Sequence, residues 1–431
     1  MSAGGERAIL VGVETGSRDG ITTEESLAEL GALAQSAGAE VAGTVQQKLK
    51  AIDPRTFIGR GKTAEVRELA QREAALLAIF DDALSPAQAR NLENELKLRV
   101  VDRSQLILDI FAQRARTLEG KLQVEIAQLS YLQPRLTRQW GHLSRQTGGS
   151  GAGGRIGTRG PGETQLEVDR RRLRERLTRL KARLGQVERT RSIQRRRRTD
   201  VPYATVALVG YTSSGKSTLM NALTGAGVEV ADRPFSTLDP TIRRLRLPGN
   251  VQVMLADTVG FIHRLPHMLI EAFKATLEEV RSADLLLHVA DASSPLLDER
   301  MRVVDQVLEE IGVGVTPRLV VLNKIDLLDG DRRGVHYGEA GEIGEIGQPS
   351  VGISALRRKG LDLLLWAIAR TLAPRREEVA LTLPAARGDL VAMARRDGEV
   401  LSTEYNDGVV AMRARVSPAV AGRLRKAAMI G

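Results

Sequence analysis

Apolar residues recur along this chain in two rhythms, and the places where one gives way to the other mark its elements. In the first hundred residues, short apolar runs at Ile9–Val13, Glu40–Val45, Leu76–Phe80 and Leu98–Val101 read as strands. Between them Thr23–Ser36, Thr63–Glu73 and Pro86–Glu95 have helical character. That alternation predicts a small parallel α/β domain over residues 1–101. Leu106, Ile110, Leu118, Leu122, Ile126, Leu129 and Leu132, with Glu125 among them, then fall near one face of a helix from Asp102 to Gln133, which Pro134 should end. Leu166, Leu173, Leu177, Leu180, Leu184 and Val187 follow at steps of 7, 4, 3, 4 and 3, the spacing of a coiled-coil seam. A Gly-rich stretch, Gly148 to Gly162, joins the two, so residues 102–200 are expected to form an antiparallel helical hairpin. Strand-helix alternation resumes over 201–374, interrupted by a glycine-rich tract from Gly330 to Pro349 that reads as a mobile loop or insertion. Residues 375–431 read as a strand, a helix from about Ala385 to Arg395, a hairpin turning at Asn406-Asp407-Gly408, and a helix opening at Ser417-Pro418. The expected fold class is α/β and multi-domain, with a small α+β domain at the end.

Composition narrows the chemistry. The 431 residues are 42% hydrophobic, enough for several cores, and contain no cysteine. Disulfides, thiol catalysis and cysteine-ligated metals are excluded, and five scattered histidines offer no metal-ligand spacing. The first residues lack a basic region followed by an apolar run, and no stretch approaches ~18 apolar residues, so a cytoplasmic protein is expected.

The net charge of +10 is local. Residues 170–198 hold fourteen Arg or Lys against Glu175 and Glu188, a surplus of +12 that leaves the rest of the chain at −2. Cations so dense repel one another unless a polyanion neutralises them, although a charge run can also be only a solvated face. Aromatics are 3% of the chain, which argues against readers that stack bases and for tracking phosphates on structured RNA or DNA. A basic amphipathic helix can also lie peripherally on anionic lipid, but this seam has Leu and Val without Trp or Phe. Asp81 and Asp82, ending a strand, could hold a cation or serve as turn residues or helix caps.

The sharpest signal begins at Val206–Val209, which runs into GYTSSGKS: Gly210, Tyr211, Thr212, Ser213, Ser214, Gly215, Lys216 and Ser217. This is a phosphate-binding loop between a strand and a helix. Its glycines let backbone N–H groups converge on phosphate oxygens; Lys216 is expected to reach the β- and γ-phosphates and Ser217 to ligate Mg2+. A second strand, Val251–Ala256, ends in Asp257, Thr258, Val259 and Gly260. Asp257 is expected to hold the metal through water, and the Gly260 N–H to sense a γ-phosphate. A third strand, Leu319–Leu322, ends in Asn323, Lys324, Ile325 and Asp326, and a further apolar run ends in Ser354, Ala355 and Leu356. The Asp326 carboxylate can accept from two N–H donors that guanine has and adenine lacks, while the Ala355 N–H can donate to guanine O6. Ligands of such sheets gather at the carboxyl ends of the strands. Between the first two motifs lie Phe235, Ser236, Thr237, Leu238 and Asp239, where Thr237 could complete the metal shell. Lys216, Thr237 and Gly260 are therefore the expected catalytic groups, with GTP as substrate.

Taken with TFIGRGK (Thr56 to Lys62), LSPAQARNLE (Leu84 to Glu93), VVDRSQLILDIFAQRARTLEGKLQVEIAQLSYLQPRL, GTRGPGETQLEVDRR (Gly157 to Arg171), FSTLDPT and DTVGFI, the chain resembles the HflX family of bacterial GTPases along nearly its whole length. The resemblance implies an N-terminal α/β domain with a helical hairpin, a central G domain and a small C-terminal domain. It implies a protein that binds the large (50S) ribosomal subunit and its rRNA and dissociates stalled or idle ribosomes, particularly under stress; a monomer is expected. Two points bear on mechanism. Ser213 and Ser214 stand where the family usually has Asn and Ala, and that Asn helps related GTPases hold potassium. Phe261 follows DTVG where other switch GTPases carry a water-orienting Gln, so intrinsic hydrolysis should be slow and a partner should supply the geometry.

Overall fold

The computed structural model describes residues 5–16, 20–136, 161–198, 203–225, 234–238, 240–264, 266, 277–328, 349–373, 377–406, 408–416 and 418–428. Within 161–167, 191–198 and a few single positions only the helix or strand path is described. The chain divides into two compact units. One comprises Met1–Glu188 with Arg233–Leu238 and Arg264–Phe273; the other comprises Arg189–Asp232, Asp239–His263 and Lys274–Gly431.

The first unit contains β1 (Glu6–Thr15), α1 (Thr23–Ser36), β2 (Ala39–Leu49), α2 (Arg60–Arg72), β3 (Leu77–Phe80), α3 (Pro86–Leu96) and β4 (Arg99–Asp102). Its sheet has the order β2-β1-β3-β4, with every pairing parallel. The helix starts are set by local chemistry. Thr22 with Glu25 and Ser85 with Gln88 form capping boxes, so α1 and α3 begin where the sequence pattern puts them. Ile9, Val11, Phe57, Ile58, Phe80 and Leu92 are among the side chains that close the core on one face of the sheet. At its carboxyl edge, buried Asp81 accepts from Ser26 Oγ at 2.6 Å and from the Arg103 guanidinium at 2.7 Å, and Arg103 also pairs with Glu29. Asp81 is thus committed to holding elements together rather than to a cation, and Asp82 pairs with Arg264 of the same unit.

The single helix expected from Asp102 to Gln133 is two helices. Asp102 ends β4 and caps α4 (Arg103–Arg114), accepting from Gln105 N at 2.9 Å. Ala115 is extended, and α5 (Leu118–Leu136) restarts with Gly120 N donating to Thr117 Oγ1. The break resets the phase, which is why Leu118 and Leu132 are exposed although they share the apparent apolar face. Pro134 does not end the helix, which continues to Leu136, with Arg135 stacked on Tyr131 and paired with Asp102 at 2.8 Å. The basic segment is one long helix, α6 (Pro161–Arg198). Arg176 Nε donates to Glu125 at 2.9 Å, which sets α6 beside α5, and Leu177 is buried. Leu173, Leu180, Leu184 and Val187 are only half-buried, so the seam is partly covered. Most of the Gly148–Gly162 stretch, including Arg155 and Arg159, lies outside the described residues, as do residues 329–348 and Asp407.

The second unit contains β5 (Ala204–Val209), α7 (Lys216–Thr224), β6 (Thr241–Leu247), β7 (Val251–Asp257), α8 (Glu278–Arg281), β8 (Leu285–Asp291), α9 (Leu297–Glu310), β9 (Arg318–Asn323), β10 (Ser350–Gly352) and α10 (Leu361–Leu372). The sheet order is β10-β9-β8-β5-β7-β6, parallel except for the antiparallel edge strand β6. Its central strands are continuous buried runs, as in a sheet covered on both faces. A three-stranded antiparallel sheet follows in the order β11-β13-β12, from β11 (Glu377–Pro384), β12 (Gly398–Asn406) and β13 (Val409–Val416). It is packed by α11 (Gly388–Asp397) and α12 (Pro418–Ala428) around its own core of Val379, Leu383, Met412 and Leu424.

Candidate nucleotide site

The parallel sheet of the second unit brings four of the sequence motifs together at the carboxyl ends of β5, β7, β9 and β10. Gly210 has φ +150° and Gly215 has φ +94°. A Cβ on Gly210 would strike the Val289 carbonyl, and one on Gly215 would strike Asn323, so neither position tolerates a side chain. Ser213 takes the left-handed region at φ +57°. The loop thus curls over the start of α7, whose first residue is Lys216.

Lys216 is buried, and its Nζ donates to Gly210 O at 3.0 Å and Tyr211 O at 2.7 Å. Burial pulls its pKa down to about 8, opposed by the Asp257 carboxylate. Ser217 Oγ donates to Asp257 Oδ2 at 2.7 Å, two hard oxygens already side by side. Such a pair suits Mg2+, which takes few protein ligands and leaves the rest of its shell to water and phosphate. Among the described residues, no cluster of three or more His, Cys, Asp or Glu could hold a metal by itself.

The DTVG stretch is fastened to the phosphate loop. Thr258 Oγ1 donates to Leu208 O at 2.6 Å, Thr212 N to Phe261 O at 2.8 Å, and Phe261 N to Gly210 O at 3.1 Å. A Cβ on Gly260 would stand 3.0 Å from Thr212 Cα and 3.1 Å from Lys216 Nζ, so its bare backbone is what fits there. Phe261 is buried at 2% exposure. Tyr211 OH accepts from His263 N at 2.9 Å, and its ring lies 5.2 Å from the Arg300 guanidinium.

Asn323 braces the other side. Its Nδ2 donates to Ser214 O at 2.9 Å, and its Oδ1 accepts from Ala355 N at 3.0 Å. The Ala355 N–H expected to read guanine O6 is therefore committed to Asn323 in this structure. Lys324, at φ +65°, turns the chain and pairs with Asp291 at 2.7 Å. Asp326 follows half-buried in a 3-10 turn, Ser354 is buried and Leu356 is exposed. Phe235 to Leu238 belong to the first unit, where the Phe235 ring meets Phe111 edge-on at 4.6 Å and Pro234 O accepts from Ser36 Oγ at 3.0 Å. Thr237 is buried there, and Asp239 lies outside the described residues.

Sequence reasoning did not single out His288 on β8 or the bridge between Tyr211 and Phe261. His288 is buried and pushed down to about 3, first by burial and then by Arg318 and Lys216, so it is a neutral core residue behind the loop. No spacing rule points to either, because both depend on strands brought together only by folding.

Three family models match in succession: GTP-binding GTPase N-terminal over residues 24–112, GTP-binding GTPase Middle Region over 114–198, and 50S ribosome-binding GTPase over 205–324. A GTPase HflX of Caldanaerobacter subterraneus is 46% identical over 97% of this chain and 93% of its own length. The chain belongs to the HflX family of GTPases. The GTPase HflX of Escherichia coli is also 46% identical, over 90% of this chain and 87% of its own. A crystal structure of a GTP-binding protein from Sulfolobus solfataricus in complex with GDP is 26% identical, with a TM-score of 0.45 over 85% of this chain and 98% of that one. The HflX-family chain is thus a guanine-nucleotide-binding GTPase of a ribosome-associated kind, and its 50S ribosome-binding GTPase match over residues 205–324 spans the phosphate loop, the DTVG stretch and Asn323.

Proposed function

We propose that the protein is a GTP-driven switch that grips the large ribosomal subunit through rRNA and releases it on hydrolysis, separating stalled or idle ribosomes under stress. It acts as a cytoplasmic monomer. The Gly210–Gly215 backbone cradles the phosphates, and the Lys216 ammonium sits against the β- and γ-phosphates. Ser217 is the proposed metal ligand, with Asp257 holding the ion through water. Bound Mg2+ supplies positive charge at the phosphate oxygens. The Gly260 N–H meets the γ-phosphate, and Asp326 accepts from the guanine N–H pair. For Ala355 to reach guanine O6, its N–H must share with or leave Asn323.

The observation that carries the partner-dependent part of this reading is Phe261. It is buried and tied by its backbone to Gly210 and Thr212, and a phenyl ring offers an attacking water no hydrogen bond. Slow turnover alone and faster turnover on large subunits are the expected outcomes. The test is GTP hydrolysis with and without large subunits, together with sedimentation against ribosomes and against anionic liposomes. High turnover in buffer that ribosomes leave unchanged would remove the partner. Sedimentation with liposomes alone would turn the basic helix into a membrane contact.

A further inference from the structure

The second unit carries an aromatic, basic surface that the nucleotide site does not use. Helix α10 buries Leu364, Ala367, Ile368 and Leu372 against the sheet. Its opposite side presents Leu363, Trp366 and Arg370 at steps of 3 and 4, one stripe about 10 Å long at 1.5 Å per residue. Trp366 is 61% exposed and Leu363 55%. An isolated exposed leucine needs no explanation, but a solvent-facing tryptophan beside one is a costly surface to leave bare.

The turn leading into this helix is basic. Arg357, Arg358 and Lys359 are all exposed, and from Leu356 to Ala373 the one anion, Asp362, faces four cations. The turn is also held in shape. Ser354 and Lys359 exchange backbone hydrogen bonds at 3.1 and 3.0 Å. Arg358 occupies the left-handed region at φ +55°, which a side chain rarely adopts without cause, and its guanidinium donates to Ala222 O of α7 at 3.0 Å.

We propose that this face binds single-stranded RNA, with an unpaired base stacked on Trp366 and the flanking phosphates met by Arg357, Lys359 and Arg370. Aromatics are scarce in this chain, but one exposed indole suffices for one stack: every base has a π-face, and the phosphates supply charge complementary to Arg370 on the same stripe and to the basic turn that precedes the helix. A protein helix would fill the Leu363–Trp366 stripe but would leave the cations unanswered. This contact is separate from α6, whose cations have no exposed aromatic among its described side chains. It rests on the ribosomal reading only for which RNA is met in the cell.

The chain has two tryptophans, Trp140 and Trp366, so Trp140→Phe makes Trp366 the sole indole reporter in the full-length protein. Titration with a fluorescein-labelled single-stranded oligouridylate, read by anisotropy and by indole emission, should give saturable quenching that tracks binding. A duplex RNA of equal length should bind without quenching. In the parent chain, Trp366→Leu should weaken oligouridylate binding on the order of tenfold, the effect of one lost stack, while GTP binding stays intact and reports folding. Replacing Arg357, Lys359 and Arg370 with Ala should flatten the log-log salt dependence by about 2, at roughly 0.7 per phosphate contact. The proposal is overturned if oligouridylate binds with Trp366 emission unchanged, if it does not bind, or if emission responds to RNA-free ribosomal protein but not to RNA. Sedimentation with large subunits is scored separately, so loss of the ribosomal reading would leave this result standing.

Discussion

In the proposed function the nucleotide loops and the basic helix α6 meet the same chemical group, phosphate, by opposite means. In the G domain one lysine is buried, two glycines are shaped by close backbone contacts, and Ser217, Asp257 and Asn323 are held at 2.7 to 3.0 Å from their partners. On α6, fourteen cations lie within residues 170–198, and those whose side chains are described are largely exposed. The first arrangement gains selectivity from fixed geometry in a desolvated place. The second gains strength from number, tolerates loose geometry and is screened by salt. A substitution should therefore act steeply and on one ligand in the loops, and additively on α6.

The largest effect should come from reversing Arg195, Arg196, Arg197 and Arg198 to Glu. Four phosphate contacts, at a slope of about 0.9 each, are worth roughly a thousandfold in affinity at 150 mM salt relative to 1 M. The variant should lose ribosome co-sedimentation on the order of a thousandfold at 150 mM salt while keeping GTP binding. Unchanged sedimentation would move the contact to Arg155 and Arg159.

Asp326→Asn should reduce GTP affinity by about a hundredfold and raise affinity for xanthosine triphosphate, whose ring accepts where guanine donates. Equilibrium binding of both nucleotides decides it, and unchanged GTP affinity would show that Asp326 does not read the base.

Lys216 has the pKa already lowered to about 8, and bound phosphate should raise it. Binding then favours the protonated form, so GTP affinity should be flat below pH 8 and fall up to about tenfold per unit above it. Lys216→Arg, which stays charged, should flatten that profile. A wild-type affinity unchanged from pH 7 to 9.5 would mean the ammonium does not titrate there.

The smallest effect concerns Ser213, which is shorter than the Asn of related loops. Turnover in potassium should exceed that in sodium by less than twofold, and Ser213→Asn should widen the ratio. Strong potassium stimulation of the parent chain would mean that another group carries the ion.

Much of this contrast was legible in the sequence because it is local. A phosphate loop is a contiguous string, a charge run is a count, and the helical stretches Thr23–Ser36 and Pro86–Glu95 stand out between short apolar strands. The features that escaped are those settled by distant partners. The break at Ala115–Thr117 leaves no glycine or proline as a signal, and Pro134 is tolerated within the last turn of α5. Edge strand β6 carries Arg243, Arg244 and Arg246, so its apolar rhythm is too thin to announce a strand. A seam spacing says where leucines can pack but not how much is packed on them, which is why Leu177 is buried and Leu173 only half so.

In the proposed binding mode Asn323 joins the loop that meets phosphate to the loop that meets the base, through one side chain with one donor and one acceptor in use. Guanosine and a free phosphate arriving separately would each have to give up their own translational freedom, whereas the intact nucleotide gives it up once to a receptor whose two halves are already spaced. The brace therefore acts as a fixed linker between two weak subsites and sets a high effective concentration of each for the other. Loosening it should degrade recognition of the whole nucleotide far more than recognition of either fragment.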